Sequence, residues 1–370
     1  MRDRSEGSSS PVLKIMPAPH IGVRLTSARM SWMVCLCLLP SAAWGVFLFG
    51  WPAAEVLAVS IGTAVLVELA ATLPFARFTL ADGSAVLTGG IIGLLLPAGA
   101  PLFVPAAASA FGILVIKQSF GGLGKNWMNP AMGGIVFVSL SWPGLLSRWV
   151  APRGGALQDT VLPPLEALRA ALGAGAREGS SLAILSRSGY GFSGIDAQVV
   201  GWINTHLLAP IGLSLQPGSF DILVGHVAGG IGTVSILLLL LGAWYLLAQR
   251  VIRWHLPVVY LGTFFVLSAV FGGLASGRGW FAGGPIFQLF SGSLVLGAFY
   301  AAPDPVTSPL TSRGKYLFGV GLGVLTFFLR YYGTTGDGVA ASIVLGNCAA
   351  PLLDRWASRR KIGRTGETAA

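Results

Sequence analysis

The sequence predicts an all-α polytopic membrane protein of about ten transmembrane helices, arranged as two inverted five-helix repeats with broken helices. Three observations predict it. Of 370 residues, 54% are hydrophobic and only 10% charged, whereas a soluble domain carries about 25% charge to cover its surface. Apolar stretches of roughly 20 residues, the length that crosses a bilayer as a helix, recur along the chain. The two halves also repeat a pattern of glycine and proline turns. This composition excludes a soluble enzyme, a disordered regulator and a fibrous protein.

The spans follow in order. The first two cover residues 30–49 and 53–73. The third (85–96) and fourth (102–118) are separated by Pro97-Ala-Gly-Ala-Pro101, and a fifth covers 130–146. A polar stretch, 147–228, intervenes. The last five fall near 229–248, 256–274, 286–302, 316–332 and 339–353. The third and eighth are short and end in Pro/Gly turns. Such backbone is tolerated at membrane depth only where it is buried in protein or lines a cavity, so both breaks mark a functional centre.

Charge sets the orientation. Ten spans put both termini on one side. That side holds seventeen of the 24 Lys and Arg residues: Arg2, Arg4, Lys14, Arg24, Arg29 and Arg355, Arg359, Arg360, Lys361, Arg364 in the tails, and Arg77, Lys117, Lys125, Arg250, Arg253, Arg313, Lys315 in loops. The positive-inside rule places this side in the cytoplasm. The expected organisation is a cytoplasmic tail (1–29), a first repeat (30–146), an extracytoplasmic loop (147–228), a second repeat (229–354) and a cytoplasmic tail (355–370), in a bacterial inner membrane. The net charge of +10 is then a topology signal. Nucleic acid is not an expected partner, because no basic patch is interleaved with aromatics. Residues 1–29 contain no apolar core of a signal peptide. Cys35, Cys37 and Cys348 form no Cys-x-x-Cys or Cys/His cluster, so no metal site is expected.

The repeat is legible in its turns. Leu87-Thr-Gly-Gly, Pro97, Pro101, a helix, Lys117 and the loop Gly121-Gly-Leu-Gly124 are answered by Phe290-Ser-Gly-Ser, Pro303, Pro305, a helix, Arg330 and a glycine turn ending at Gly338. Five spans per repeat require opposite insertion, and inverted repeats place binding sites near the midplane.

Two segments could carry chemistry. In residues 117–134, backbone N–H groups of the loop Gly121, Gly122, Gly124 and Lys125 can cradle an anion or a ring carbonyl. Asn126 and Asn129 add amides able to read the edge of a uracil-like ring; the segment is equally an ordinary interhelical turn. In residues 302–315, Asp304 sits between two prolines, where a rigid turn could aim its carboxylate into a cavity or simply cap the turn. Glu68 lies deep in the second span. An ionisable group there is costly unless partnered, so it is either on an ion path or bonded to a facing helix. His255, beside Trp254, reads as a headgroup anchor.

The phrases KQSFGGLGKNWMNPAM, VIRWHLP and LFSGSLVLGAFYAAPDPVTSPLTSRGK, with the later GDGVA, resemble the RnfD/NqrB family over nearly all of residues 10–357. The resemblance implies membrane electron transfer between ferredoxin and NAD within an Rnf-type complex of several subunits, coupled to Na⁺ or H⁺ movement. It also implies bound flavin: often a noncovalent riboflavin, and typically an FMN joined to a threonine. The family's loop motif matches Gly121, Gly122, Gly124, Lys125, Asn126 and Asn129, with Trp127 departing from the usual Pro or Phe. Its aspartate turn matches Asp304 and Thr307, and Glu68 falls where the family has a glutamate.

The attachment motif is the exception. The family pattern resembles Ser/Thr-Gly-Ala-Thr, but here Ser193-Gly194 is followed by Ile195-Asp196. The only threonine between Thr160 and Thr233 is Thr205, in the wrong context. The expectation is therefore a noncovalent flavin, riboflavin or FMN, with Thr205 a weak covalent candidate. The competing readings are a channel or secondary transporter on the same repeat and a cofactor-free scaffold.

Overall fold

The computed structural model describes residues 26–75, 79–153, 162–176, 179–208, 215–275, 277–333 and 336–357. Most of both tails, Arg77 and Thr160 lie outside them. Among the described residues there is no β-strand, only one antiparallel bridge between Pro97 and Gly230.

α1 (Ser27–Phe49) starts where the Thr26 hydroxyl accepts the Arg29 N–H, which satisfies one of the donors every helix start leaves free. Gly50, at φ 74°, turns the chain within one residue into α2 (Trp51–Thr72), a conformation that favours glycine. α3 (Ser84–Leu95) is only 12 residues long. α4 (Phe103–Phe111) continues into a π-helical turn at Gly112–Gln118. α5 (Pro130–Ser141) is followed by the short α6 (Pro143–Leu146).

The described residues of the polar stretch form four short α-helices: α7 (Pro164–Gly173), α8 (Ser181–Arg187), α9 (Gly194–Ile203) and α10 (Ser219–Val224). Then come α11 (Ile236–Ala248), α12 (His255–Ala275), α13 (Pro285–Leu289), α14 (Leu294–Leu296) with a π turn at Gly297–Ala301, α15 (Ser312–Tyr332) and α16 (Val339–Ala357).

α1, α2 and α12 are each long and apolar enough to cross a membrane, and α3, the Phe103–Gln118 helix, α5 and α11 are shorter apolar helices. The chain is a multi-pass helical membrane protein.

The eighth expected span, 286–302, is interrupted inside at Phe290–Ser293, between α13 and α14, where Gly292 takes φ 75°. The sixth expected span also differs in the structure. Residues 229–235 are not helical, and α11 begins only at Ile236. The glycine-rich Gly229-Gly-Ile-Gly-Thr233 has poor helix propensity and runs beside the broken end of α3. There Ile231 N–H donates to Leu96 O (3.0 Å) and Gly232 N–H to Leu94 O (2.8 Å), while the Ser41 hydroxyl closes on Gly232 O (2.6 Å). Carbonyls left open where α3 stops are thereby satisfied, as apolar surroundings require. Gly112 and Gly134 let α4 and α5 cross closely: a Cβ on Gly134 would overlap the Ala108 carbonyl, and one on Gly112 the Pro130 carbonyl. Small residues serve this close approach where no water drives association.

Candidate functional site

Glu68, near the end of α2, is fully buried, and Lys117, in the π turn after α4, is 2% exposed. Lys117 Nζ donates to Glu68 Oε2 (2.5 Å) and to Ser84 Oγ (2.6 Å), and the Thr79 hydroxyl donates to Glu68 Oε1 (2.7 Å). Both carboxylate oxygens are thus occupied. Lys117, expected among the cytoplasmic loop charges, is instead an interior ion-pair partner.

A similar arrangement stands near the end of α15. Buried Arg330 lies 3.5 Å from Asp337 Oδ2, donates to Asp337 O (3.1 Å) and Gln288 O (2.5 Å), and sits 5.1 Å from the Phe264 ring centre. Asp337 in turn accepts Ser293 N–H (2.5 Å) and caps α16 through Val339 N–H (3.2 Å).

The expected cofactor residues divide. Asn129 is buried, and its Oδ1 caps α5 by accepting Ala131 and Met132 N–H (3.0 and 3.3 Å). Its Nδ2 reaches across to Ala301 O (3.2 Å), 172 residues away, at the end of the π turn after α14. Asn347 of α16 reinforces this junction. In the amide orientation that satisfies both ends, it donates to Thr307 O (3.3 Å) and accepts Asn129 N–H (3.0 Å). Thr307 is buried, and its hydroxyl donates to Asp304 Oδ2 (3.2 Å), while Asp304 Oδ1 accepts Val306 N–H (3.1 Å). The Asp304 carboxylate is therefore engaged within its own turn.

Asn126 is buried beside this junction; its Nδ2 donates to Met128 O, and its Oδ1 has no partner. Gly121, Gly122 and Gly124 all adopt positive φ (104°, 90° and 91°) and form a tight turn facing outward. Lys125 is exposed, as is Trp127, which meets Phe120 edge-on at 6.2 Å. His255 stacks on Trp254 (4.1 Å) and contacts Tyr316 edge-on (5.6 Å).

A cavity of about 550 Å³ opens where the end of α3 meets the interruption between α13 and α14. Its wall draws Leu95–Pro97 from the end of α3, Ile135 from α5, Gly229 and Gly230, Phe290–Ser293 between α13 and α14, and Asp337 before α16. Glu166 of α7 also lines it and accepts the Trp149 indole N–H (3.0 Å). The wall is largely apolar. Ser291, 4% exposed, presents a hydroxyl with no hydrogen-bond partner. None of the glycine-loop residues, Asn126, Asn129, Asp304 or Thr307 lines this cavity.

Ser193 and Asp196, compared above with the family's attachment pattern, are bonded within the polar lobe. Ser193 caps α9 and donates to Asp221, and Asp196 accepts N–H groups of Gly218, Phe220 and Asp221. Thr205 lies exposed in a π turn with its hydroxyl on Gly201 O (2.9 Å).

The pattern of the NQR2, RnfD, RnfE family matches residues 14–363. The chain belongs to this family. It is 34% identical over 357 residues to the D component of the proton-translocating ferredoxin:NAD(+) oxidoreductase complex of Clostridium ljungdahlii, covering 95% of this chain and 96% of that protein. It is 36% identical over 349 residues to the D component of the ion-translocating oxidoreductase complex of Stutzerimonas stutzeri (92% and 94%). It is 31% identical over 357 residues to the D component of the Na(+)-translocating ferredoxin:NAD(+) oxidoreductase complex of Acetobacterium woodii (95% and 96%).

In this family member, four features escape sequence reasoning: Ser84 and Thr79 around the Glu68 pair, Asn347 at the junction, and Ser291 in the cavity. Short polar residues inside apolar helices give no signal until a partner faces them. The Phe290-Ser-Gly-Ser turn does read as a helix break, and that signal could have pointed to Ser291.

Proposed function

We propose that this chain is the D-type membrane component of an Rnf-type complex in a bacterial inner membrane, with both termini cytoplasmic and ten spans in two inverted repeats. It assembles with the other subunits of the complex. It carries electrons through a noncovalent flavin, riboflavin or FMN, between ferredoxin and NAD partners, with coupled movement of Na⁺ or H⁺. The cavity at the two helix breaks carries this reading. Its volume lies in the range of about 300–1,000 Å³ usual for cofactor pockets.

The residues present fit a flavin. Apolar side chains such as Ile135 and Phe290 would enclose a planar ring and exclude water, and the unpartnered Ser291 hydroxyl would meet a polar ring edge. A bound flavin supplies one- and two-electron carriage; the protein supplies position and surroundings. Noncovalent binding is supported by the sequence, in which Ile195-Asp196 follows Ser193-Gly194 where the family pattern has Ala-Thr. Glu68 is proposed to act in ion movement, with Lys117 as its counter-charge between events.

The test is the visible spectrum of the purified complex. Flavin absorbance is expected, released on denaturation with no fluorescent protein band in a denaturing gel, and lowered in Ile135→Trp, which fills the cavity. An intact complex without flavin absorbance overturns the electron-carrier reading and favours a channel or scaffold.

A further inference from the structure

Among the described residues, two ionisable side chains line the cavity of about 550 Å³: Glu166 and Asp337. They are held differently. Both Asp337 oxygens are taken. Oδ2 accepts Ser293 N–H (2.5 Å) and faces Arg330 at 3.5 Å, and Oδ1 accepts Val339 N–H (3.2 Å) at the start of α16. Protonating Asp337 would strand the buried Arg330 guanidinium, which is costly. Glu166 is half-buried in the first turn of α7. Its Oε2 accepts the Trp149 indole N–H (3.0 Å), and Oε1 accepts no hydrogen bond from the described residues. Arg169 stands one turn further along the same helix, so a charged Glu166 has a counter-charge beside it. Burial lifts the Glu166 carboxyl above its usual range; the Trp149 N–H and Arg169 oppose the rise, and nearby Asp337 adds to it. A carboxyl raised in this way is suited to giving and taking a proton.

We propose, on the reading that a flavin occupies this cavity, that Glu166 is its proton-exchanging residue, giving a proton to a ring nitrogen as electrons arrive and taking one back as they leave. Two electrons from the ferredoxin-side carrier make a ring nitrogen basic. The Glu166 O–H bond then breaks as a ring N–H bond forms, and Glu166 is left as a carboxylate beside Arg169. Being half-buried, it recovers a proton from water on the side of the polar lobe. On oxidation the steps reverse: Glu166 releases a proton to water, then accepts the ring proton as both electrons pass to the next carrier. One proton is thus taken up from water for each electron pair gained, and one is returned for each pair lost.

The purified complex tests this without reading its turnover. It is mixed rapidly with dithionite, and flavin bleaching is followed together with the infrared absorbance of carboxylic C=O groups. In the wild type a carboxylic band should be lost as the flavin bleaches and return as Glu166 recovers its proton. Glu166→Gln keeps an oxygen for the Trp149 N–H but has no acidic proton, and the transient should be absent. Glu166→Asp keeps the acid and should show the transient at a displaced frequency, which serves where the glutamine variant does not fold. A complex that holds no flavin overturns this proposal together with the reading beneath it. A complex that holds flavin but shows no transient in the wild type overturns this proposal alone. So does a transient that persists in folded Glu166→Gln or stands undisplaced in Glu166→Asp.

Discussion

Glu68 and Lys117, separated by 49 residues, meet at 2.5 Å with both side chains withdrawn from solvent. A buried pair of this kind balances desolvation against attraction, so its net contribution is small while the loss of one partner is costly. Lys117→Met should destabilise the protein by about 3–5 kcal/mol, and Glu68→Leu with Lys117→Met should recover much of that loss. A double-mutant cycle on thermal or denaturant unfolding in detergent reads both numbers. Additive single effects would show that the pair is not energetically coupled.

Asn129 joins two functions in one amide. Asn129→Asp keeps the oxygen that caps α5 but removes the donor to Ala301 O. Asn129→Ala removes both, costing about 1 kcal/mol for the cap alone. The expected order of stability is wild type, then Asp, then Ala, measured by the unfolding midpoint. An aspartate variant as unstable as alanine would make the bond to Ala301 the dominant contribution.

Gly134 is a packing position. Gly134→Leu should destabilise the α4–α5 crossing, because the first added carbon already overlaps the Ala108 carbonyl. Overpacking of this kind costs about 1–3 kcal/mol. The outcome is checked by the unfolding midpoint beside Gly144→Ala, where a Cβ meets nothing within 4 Å.

The polar lobe should respond to pH through Asp221. Burial pushes its carboxyl above the ordinary range, the Ser193 N–H and hydroxyl work against that rise, and nearby Asp196 adds to it. A carboxyl whose folded value exceeds its unfolded value binds a proton in the folded state first. Stability therefore falls as pH climbs from the ordinary carboxylate range, about 3.9, through the raised value, and the loss is complete above it. Hydrogen exchange of α9 and α10 across mildly acidic pH should show this slope, and Asp221→Asn should flatten it.

Much of the fold was legible in the sequence. Most helices lie on the apolar stretches, and α3 stops at its Pro97 turn, but the eighth stretch is interrupted inside, at Phe290–Ser293, and not only at its Pro303 end. The exception is instructive: Gly229–Ser235 is apolar in composition, yet its glycines leave the backbone out of the helix and bonded to the end of α3. At the candidate site, the chemistry of Asn126, Asn129 and Glu68 was legible, but their partners were not. Asp304 could equally aim outward or close its own turn, and the turn bonds it to Val306 and Thr307.

By itself the sequence determined a helical membrane protein of the NQR2, RnfD, RnfE family and the Pro97 turn at which α3 stops. These follow from composition and local pattern, which residues carry without regard to distant neighbours. Only the tertiary structure decided that Glu68 faces Lys117, that Asn129 ties α5 to Ala301, and that the breaks enclose a cavity lined by Ser291. A buried polar group must find a partner wherever packing brings one within reach, and packing depends on contacts between segments far apart in the chain.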